Sequence, residues 1–334
     1  MTTFATSSPS NSTIVRIINS RIALKSIPRL LARTRMRVVS ALAPRWALQT
    51  ALDQFITPPR FEHSAAEKSL LADAEAITVA TRFGRIAAWR IGDASRPAVL
   101  MSHGWGGRGA QFRAFVPALQ EAGYQVVLFD HHGHGMSEGR QASLIDFWRG
   151  LEAVWDHLSD RGIVVTGMVA HSLGGAAVGS ALRRSLTRRH RDAPLPRVVM
   201  LAPPASLIRY SHLFARWLGI SEQVRSAMQW RIEQRFGVDW EEFELPQSVA
   251  TIRAPALFIH DRDDRETRFE SGLALARAWP DARFHATHGL GHRRILRNSE
   301  VIHRTVDFLS DRVEFLHPPA AHERSSHLEP SPLY

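Results

Sequence analysis

Ile163-Val164-Val165-Thr166-Gly167-Met168-Val169-Ala170-His171-Ser172-Leu173-Gly174-Gly175-Ala176-Ala177-Val178 is an apolar, strand-like run that ends on a serine and turns at once into a small-residue helix start. Ala170 and Gly174 stand two residues before and after Ser172. Small neighbours at those places are what a sharp strand-to-helix turn needs, because a larger Cβ would clash across the bend. Such a turn strains the serine backbone and lifts its Oγ clear of the sheet. The stretch from Gly162 to Leu182 holds no formally charged residue. Its His171, its glycines and its turn nevertheless make it strand, turn and helix rather than a membrane span.

On either side of this stretch, strands and helices alternate. Ala76–Arg82 and Arg85–Ile91 read as a hairpin around Phe83-Gly84, and Pro97–Ser102 as a short apolar strand. Gln111–Ala122 is expected to be helical, Gln125–Phe129 a strand, Ser143–Leu158 a helix, Ile163–Ala170 a strand and Gly174–Leu186 a helix. Strands follow at Arg197–Ala202, Pro255–His260 and Ala282–Ala286, with a helix over Phe269–Trp279 between the last two and a final helix over Ile295–Phe315. Continuous apolar strands separated by helices imply an α/β fold: a mostly parallel central sheet with helices on both faces. Between Ala205 and Ala250 the alternation stops. Leu207, Tyr210, Leu213, Phe214 and Trp217 recur at helical spacing, and Val224, Met228, Ile232 and Phe236 continue on a second helix. An all-helical insertion after a strand's C-terminal end is where such an enzyme carries a lid. The expected organisation is a basic extension over 1–60, a main domain over 61–317 with a helical lid at 205–250, and a loose tail over 318–334.

The chain has 334 residues, 44% hydrophobic and 22% charged, and no cysteine. Disulfides, thiolate metal sites and cysteine nucleophiles are therefore excluded. The net charge of +10 is unevenly spread. Residues 1–52 carry eight basic residues (Arg16, Arg21, Lys25, Arg29, Arg33, Arg35, Arg37, Arg45) and no acidic one, which leaves +2 for the remaining 282. A nearly neutral body argues against nucleic acid as a partner. The leader itself admits several readings. It is a helical extension packed on the body, a membrane-surface amphipathic helix over residues 14–52, or an Arg- and Ser-rich transit peptide. A true start at Met36 would mimic all three.

A serine is a weak nucleophile near neutral pH unless a base lies within reach and a carboxylate orients that base. Both follow Ser172 in chain order. His260-Asp261-Arg262-Asp263-Asp264 comes directly after a strand, with Asp264 placed to reach across the sheet edge. Gly289-Leu290-Gly291-His292 follows the next strand, in a glycine-flanked loop that presents an imidazole 28 residues beyond Asp264. His103-Gly104-Trp105-Gly106-Gly107 follows the strand at Pro97–Ser102, and its glycines let the backbone fold back toward Ser172. The amides of Trp105 and Leu173 are the expected oxyanion donors.

These motifs, together with Phe129-Asp130-His131-His132-Gly133-His134-Gly135-Met136-Ser137-Glu138-Gly139, resemble the α/β-hydrolase superfamily of serine hydrolases. They are most similar to its monoglyceride-lipase and serine-aminopeptidase-like branch. The Asp-x-x-Gly-His-Gly-x-Ser segment of that branch is a structural loop, so the resemblance gives His131, His132 and His134 no catalytic role. It departs from the family at Ala170, where glycine is commoner, and at Asp261, which also stands where glycine is usual. Asp261, Asp263 and Asp264 are then neighbouring candidates, and the family spacing favours Asp264, with Asp263 next. A serine at 172 rather than an aspartate argues against dehalogenase or epoxide-hydrolase chemistry.

The expectation is a carboxylic-ester hydrolase with Ser172, His292 and Asp264 as its triad, needing no metal and no organic cofactor. Its substrate is a small ester with an apolar acyl group or a lipid monoester. Tyr210, Phe214 and Trp217 are candidates for an acyl pocket. The expected location is cytoplasmic, with peripheral contact to anionic membrane through residues 14–52. An amidase or aminopeptidase with the same triad is the alternative, for which Glu222, Glu233, Glu241, Glu242 and Glu244 would hold a substrate ammonium. A third reading, a non-catalytic binding protein on the same fold, is disfavoured by the complete Ser–Asp–His set. Oligomeric state is not legible in the chain.

Overall fold

Apolar strands with no polar face must be covered on both sides, and they are. In the computed structural model, which describes residues 31–185 and 195–310, eight strands form one sheet in the order β1-β2-β4-β3-β5-β6-β7-β8. The strands are β1 (Glu75–Thr81), β2 (Gly84–Ile91), β3 (Ala98–Ser102), β4 (Gln125–Phe129), β5 (Val165–His171), β6 (Arg197–Leu201), β7 (Ala256–Asp261) and β8 (Ala282–Thr287). β1 and β2 form an antiparallel hairpin, and β2 runs antiparallel to β4. From β4 to β8 every neighbouring pair is parallel. All residues of β3, β4 and β7 are buried. Parallel pairing also brings the C-terminal ends of β3, β4, β5, β6, β7 and β8 to one edge. Every motif singled out in the sequence follows one of those strands, so the topology collects them there.

The helices that cover this sheet are α3 (Ala65–Ala72), α4 (Val116–Glu121), α5 (Leu144–Ser159), α6 (Leu173–Ser185), α9 (Leu245–Val249), α10 (Phe269–Ala278), α11 (Gly291–Arg294) and α12 (Ser299–Leu309). One core cluster packs Val99, Met101, Val126 and Leu128 of the central strands against Phe112, Phe115, Val301 and Phe308. α5 starts at a capping box: Ser143 Oγ accepts the Asp146 amide while the Asp146 carboxylate accepts the Ser143 amide.

Two expected helices are broken. Gln111–Ala122 is instead a 3₁₀ turn over Gly109–Phe112 followed by α4. Pro117 lacks an N–H, so a helix begins afresh around it, in the first turn where no amide is needed. The final helix is interrupted at Asn298, whose side chain accepts the Val301 amide and caps α12. A short turn, Ile295–Arg297, precedes it.

Residues 31–58 and 206–244 form a second, helical unit. It contains α1 (residues 31–42), α2 (Pro44–Ile56), α7 (Leu207–Leu218) and α8 (Glu222–Phe236). Met36, Ala47, Ala51 and Ile56 share its core with Phe214, Val224, Met228 and Trp240. The extension and the insertion, separate by sequence, are thus one unit, because each is too short to bury an apolar face alone. The first half of the basic extension, the tail from 318 and the ends of the helices at Leu186 and Phe315 lie outside the described residues.

Candidate active site

Ser172 stands between β5 and α6 with φ 52°, a left-handed conformation rare for a residue with a side chain. Its amide donates to the Leu201 carbonyl on β6 at 2.9 Å, and its carbonyl accepts the Gly175 amide at 2.9 Å. The turn is tight enough to dictate its neighbours. A Cβ on Gly174 would lie 2.3 Å from the Ser102 carbonyl oxygen and 2.6 Å from that of His103. Ala170 at the −2 position is fully buried, so the turn accommodates a methyl there.

Register brings the next part alongside. Ser102 pairs with Ala170 across β3 and β5, so the residues that follow each strand, His103–Gly107 and Ser172, emerge side by side. A Cβ on Gly104 would lie 2.8 Å from the Ser172 Cβ. The loop is folded back by the Gly107 amide, which donates to the Gly104 carbonyl at 3.0 Å. His103 Nε2 accepts the His131 amide at 2.9 Å, which leaves its proton on Nδ1, donated to the same Gly104 carbonyl at 2.7 Å. The Gly104 carbonyl and the Trp105 amide belong to one planar trans peptide and point in opposite directions. Holding the carbonyl therefore aims the amide. Leu173, the other expected donor, is the first residue of α6, where an amide has no partner within the helix.

His292 is held from two sides. His292, on the first turn of α11, has Nδ1 2.7 Å from Asp264 Oδ2. Asp264 Oδ1 accepts the amides of Glu266 and Thr267 at 2.8 and 2.9 Å, and His260 Nε2 lies 3.4 Å from Oδ2. Burial resists ionisation of Asp264. The hydrogen bonds of His260 and His292, the His292 charge and the Thr267 amide outweigh it and hold the carboxyl well below its usual range. An ionised Asp264 keeps a proton on Nδ1 and turns the Nε2 lone pair outward. His171 supplies the second support: its Nε2 donates to the His292 carbonyl at 2.8 Å, and the rings lie 4.6 Å apart. Burial first, then the His292 charge, pushes the His171 pKa down to about 3, so this donor is neutral.

The three candidate carboxylates divide the work. Asp264 touches the imidazole. Asp261, fully buried, accepts from Thr287 Oγ1 and from the amides of Asp263, Leu290 and Gly291. Asp263 Oδ2 accepts the Gly289 amide at 2.8 Å. Asp261 and Asp263 therefore shape the loop that carries His292. The only sequence sign of this was Asp261 standing where glycine is usual.

Arg60 was not foreseen either. Its guanidinium donates to four carbonyls of one loop, those of Gly133, Gly135, Ser137 and Gly139, at 2.6–3.3 Å. Nothing in the local sequence distinguishes it from the chain's many other arginines.

Tyr210, Phe214 and Trp217 all lie on α7 of the helical unit. Phe214 is buried in that unit's core, its ring 5.0 Å from Phe55, while Tyr210 and Trp217 are 44% and 61% exposed. Among the described residues no cluster of three or more His, Asp or Glu side chains is arranged to hold a metal ion.

The family described as serine aminopeptidase, S33, matches residues 93–240. The lysophosphatidylserine lipase ABHD12 of Gallus gallus is 27% identical over 233 residues, covering 64% of this chain and 58% of that protein. The 2-hydroxy-6-oxo-6-phenylhexa-2,4-dienoate hydrolase of Burkholderia cepacia is 27% identical over 260 residues, covering 64% of this chain and 88% of that one. An esterase of Pyrococcus furiosus superposes with a TM-score of 0.57 at 20% identity, covering 76% of this chain and 98% of its own. The chain thus spans somewhat over half the length of the lipase it matches.

Proposed function

We propose that this chain, an α/β-hydrolase, cleaves carboxylic esters by acyl transfer through Ser172. The observation that carries the reading is the 2.7 Å contact from Asp264 to His292 Nδ1, on the same sheet edge as a serine held at φ 52°. Ser172 Oγ attacks the ester carbonyl carbon as its proton passes to His292 Nε2. The oxyanion so formed faces the Trp105 and Leu173 amides. Collapse breaks the bond to the alkoxy oxygen, which takes the proton from His292 and leaves as alcohol. Water, deprotonated by the same imidazole, then attacks the acyl-enzyme, and collapse releases the carboxylic acid and restores Ser172. Ionised Asp264 stabilises the imidazolium in both halves.

A fluorophosphonate probe tests this directly. Covalent labelling in the wild type and none in Ser172→Ala is expected; equal labelling of both would overturn the reading. A series of p-nitrophenyl esters of increasing acyl length then defines the substrate. The lipase and esterase names among the relatives favour an apolar acyl group or a lipid monoester.

The amide reading draws on the serine-aminopeptidase description, but its proposed ammonium-binding acids are partly engaged. Glu222 bonds Arg225, Glu233 bonds Gln229 and Glu244 bonds Ser206. Turnover of an aminoacyl p-nitroanilide exceeding that of p-nitrophenyl esters would reverse the preference.

A cytoplasmic, membrane-peripheral location fits the substrate class. No helix among the described residues is long and apolar enough to cross a membrane. On α1, Leu31, Arg35, Val38 and Leu42 recur at i, i+4, i+7 and i+11 on the exposed face, with Trp46 exposed just beyond. Binding to anionic vesicles that weakens with salt, and falls further in Leu42→Asp, is the expected result. Equal binding to neutral and anionic vesicles would exclude the electrostatic part.

A further inference from the structure

The peptide after Trp105 has its own support, from a loop to which the sequence assigns no catalytic part. The Gly106 amide donates to His134 Nε2 at 3.0 Å, and His134 Nδ1, which must then carry the proton, donates to the His132 carbonyl at 2.9 Å. The His134 ring also meets the Trp105 indole edge to face, 5.4 Å between centroids. His134 therefore holds both the side chain of Trp105 and the peptide that follows it. With the Gly104 carbonyl gripped on the other side, both peptides flanking the Trp105 α-carbon are anchored.

His134 sits in the stretch Gly133–Gly139, which turns on four glycine or serine carbonyls that point to one place. Arg60 occupies that place and donates to all four. Its neighbours lie on the oxyanion loop itself. A Cβ on Gly106 would come 3.1 Å from Pro59 Cγ and 3.8 Å from the Phe61 ring. Residues 59–61 thus strap the two loops together, Arg60 on one and Pro59 and Phe61 on the other.

We propose that His134 and Arg60 are positioning residues for the oxyanion hole: His134 sets the Trp105 backbone through the Gly106 amide, and Arg60 immobilises the loop that carries His134. This rests on the reading of the Trp105 amide as an oxyanion donor. Both residues hold backbone rather than belonging to the proposed triad or donating to the oxyanion, so the proposal requires ground-state binding to survive their loss. Their loss is felt where the oxyanion forms, because a donor displaced by a fraction of an ångström still admits substrate but no longer meets the developing charge.

The test uses the full chain and an ester that the wild type hydrolyses through Ser172. If no ester is hydrolysed through Ser172, it is the proposed function that fails. With such an ester in hand, His134→Leu removes the acceptor and is expected to lower kcat by about 10- to 100-fold with KM changed less than about twofold. His134→Gln, which keeps an acceptor oxygen, recovers part of the loss. Affinity for a boronic acid, whose tetrahedral Ser172 adduct places an oxygen in the hole, falls by the same factor as kcat/KM. Arg60→Ala, a change on an exposed strap, shows the same pattern more weakly and regains rate on addition of guanidinium ion, whereas Arg60→Lys regains little. The proposal is overturned if KM rises with kcat intact, or if boronate affinity is unchanged in Arg60→Ala and His134→Leu. Equal impairment of the leucine and glutamine variants would remove His134 as the acceptor that matters.

Discussion

The loop after β7 and the loop after β3 hold opposite ends of the proposed catalytic site, and the acceptors that fix their backbones differ in charge. Behind His292 the acceptors are carboxylates: Asp264 on the imidazole, Asp261 and Asp263 on the amides of the loop that carries it, while neutral His171 donates to the His292 carbonyl. Behind Trp105 they are neutral imidazoles, His103 and His134, each accepting an amide at Nε2 and donating from Nδ1 to a carbonyl. The reason lies in the charge each end must meet. In the proposed mechanism His292 becomes a cation, which nearby carboxylates would stabilise. The oxyanion is negative, and an ionised carboxylate about 5 Å from it would oppose it by about 3 kcal/mol at an effective dielectric constant of about 20. A neutral imidazole accepts a backbone amide more weakly than a carboxylate does, but without that penalty.

The sharpest way to break the comparison is Asp264→Asn, which leaves the shape but forces the imidazole toward the wrong tautomer. A fall in kcat of about 10⁴ is expected, read by steady-state kinetics. A loss below tenfold would show that Asp264 is not the orienting acid. Next comes His134→Glu, which replaces a neutral acceptor by an anionic one at the oxyanion end. If the charge rule holds, kcat falls by about 10² more than in His134→Gln. Equal rates in the two would mean that the neutrality of this loop has no catalytic meaning.

Stability carries the third test. Asp261→Ala strips the acceptor from three amides and the Thr287 hydroxyl, and should cost roughly 2–4 kcal/mol in urea unfolding. Asp263→Asn, at an exposed contact, should cost under about 1 kcal/mol and change kcat less than threefold.

The pH dependence of folding separates the buried histidines from Asp264, because the two kinds of group contribute in different windows. Burial, the leading cause, lowers the His134 pKa to about 4 and, with the His292 charge, that of His171 to about 3, from an ordinary 6.5. Below about pH 6.5 the unfolded chain binds protons there that the fold does not, so each group lowers the unfolding free energy by about 1.4 kcal/mol per pH unit down to its folded pKa. Asp264 is depressed instead. Its contribution is full above about pH 4 and is lost as pH falls further. Urea unfolding between pH 7 and pH 4.5 should therefore decline on the histidines alone, and His134→Gln should flatten that decline. An unchanged slope would mean that His134 is not held neutral.

Much of this arrangement is legible in the chain because it is local. A strand ending in Ala-His-Ser-Leu-Gly must turn sharply, and the Gly174 Cβ position, 2.3 Å from a carbonyl oxygen, shows why glycine is required. The order of Ser172, the aspartates and His292 after successive strands is equally readable, since parallel strands bring their C-terminal ends to one edge. The helix over Gln111–Ala122 was misread because apolar spacing continues across Pro117, while hydrogen bonding does not. His103 and His134 were visible as residues but not as supports, because what they hold lies on another loop.

By itself the sequence determined the sheet and the elbow, which follow from periodicity and from steric limits within a few residues, and it pointed to Ser172 and His292 as the nucleophile and base of the proposed reaction. Only the tertiary structure decided which of Asp261, Asp263 and Asp264 faces His292. Three carboxylates within four residues have the same chemistry, and their roles are set by partners 26 to 30 residues away. It also decided that residues 31–58 share a core with 206–244, and that Arg60 closes a loop more than 70 residues downstream. Those contacts depend on which surfaces the folded chain brings together, and no local pattern encodes them.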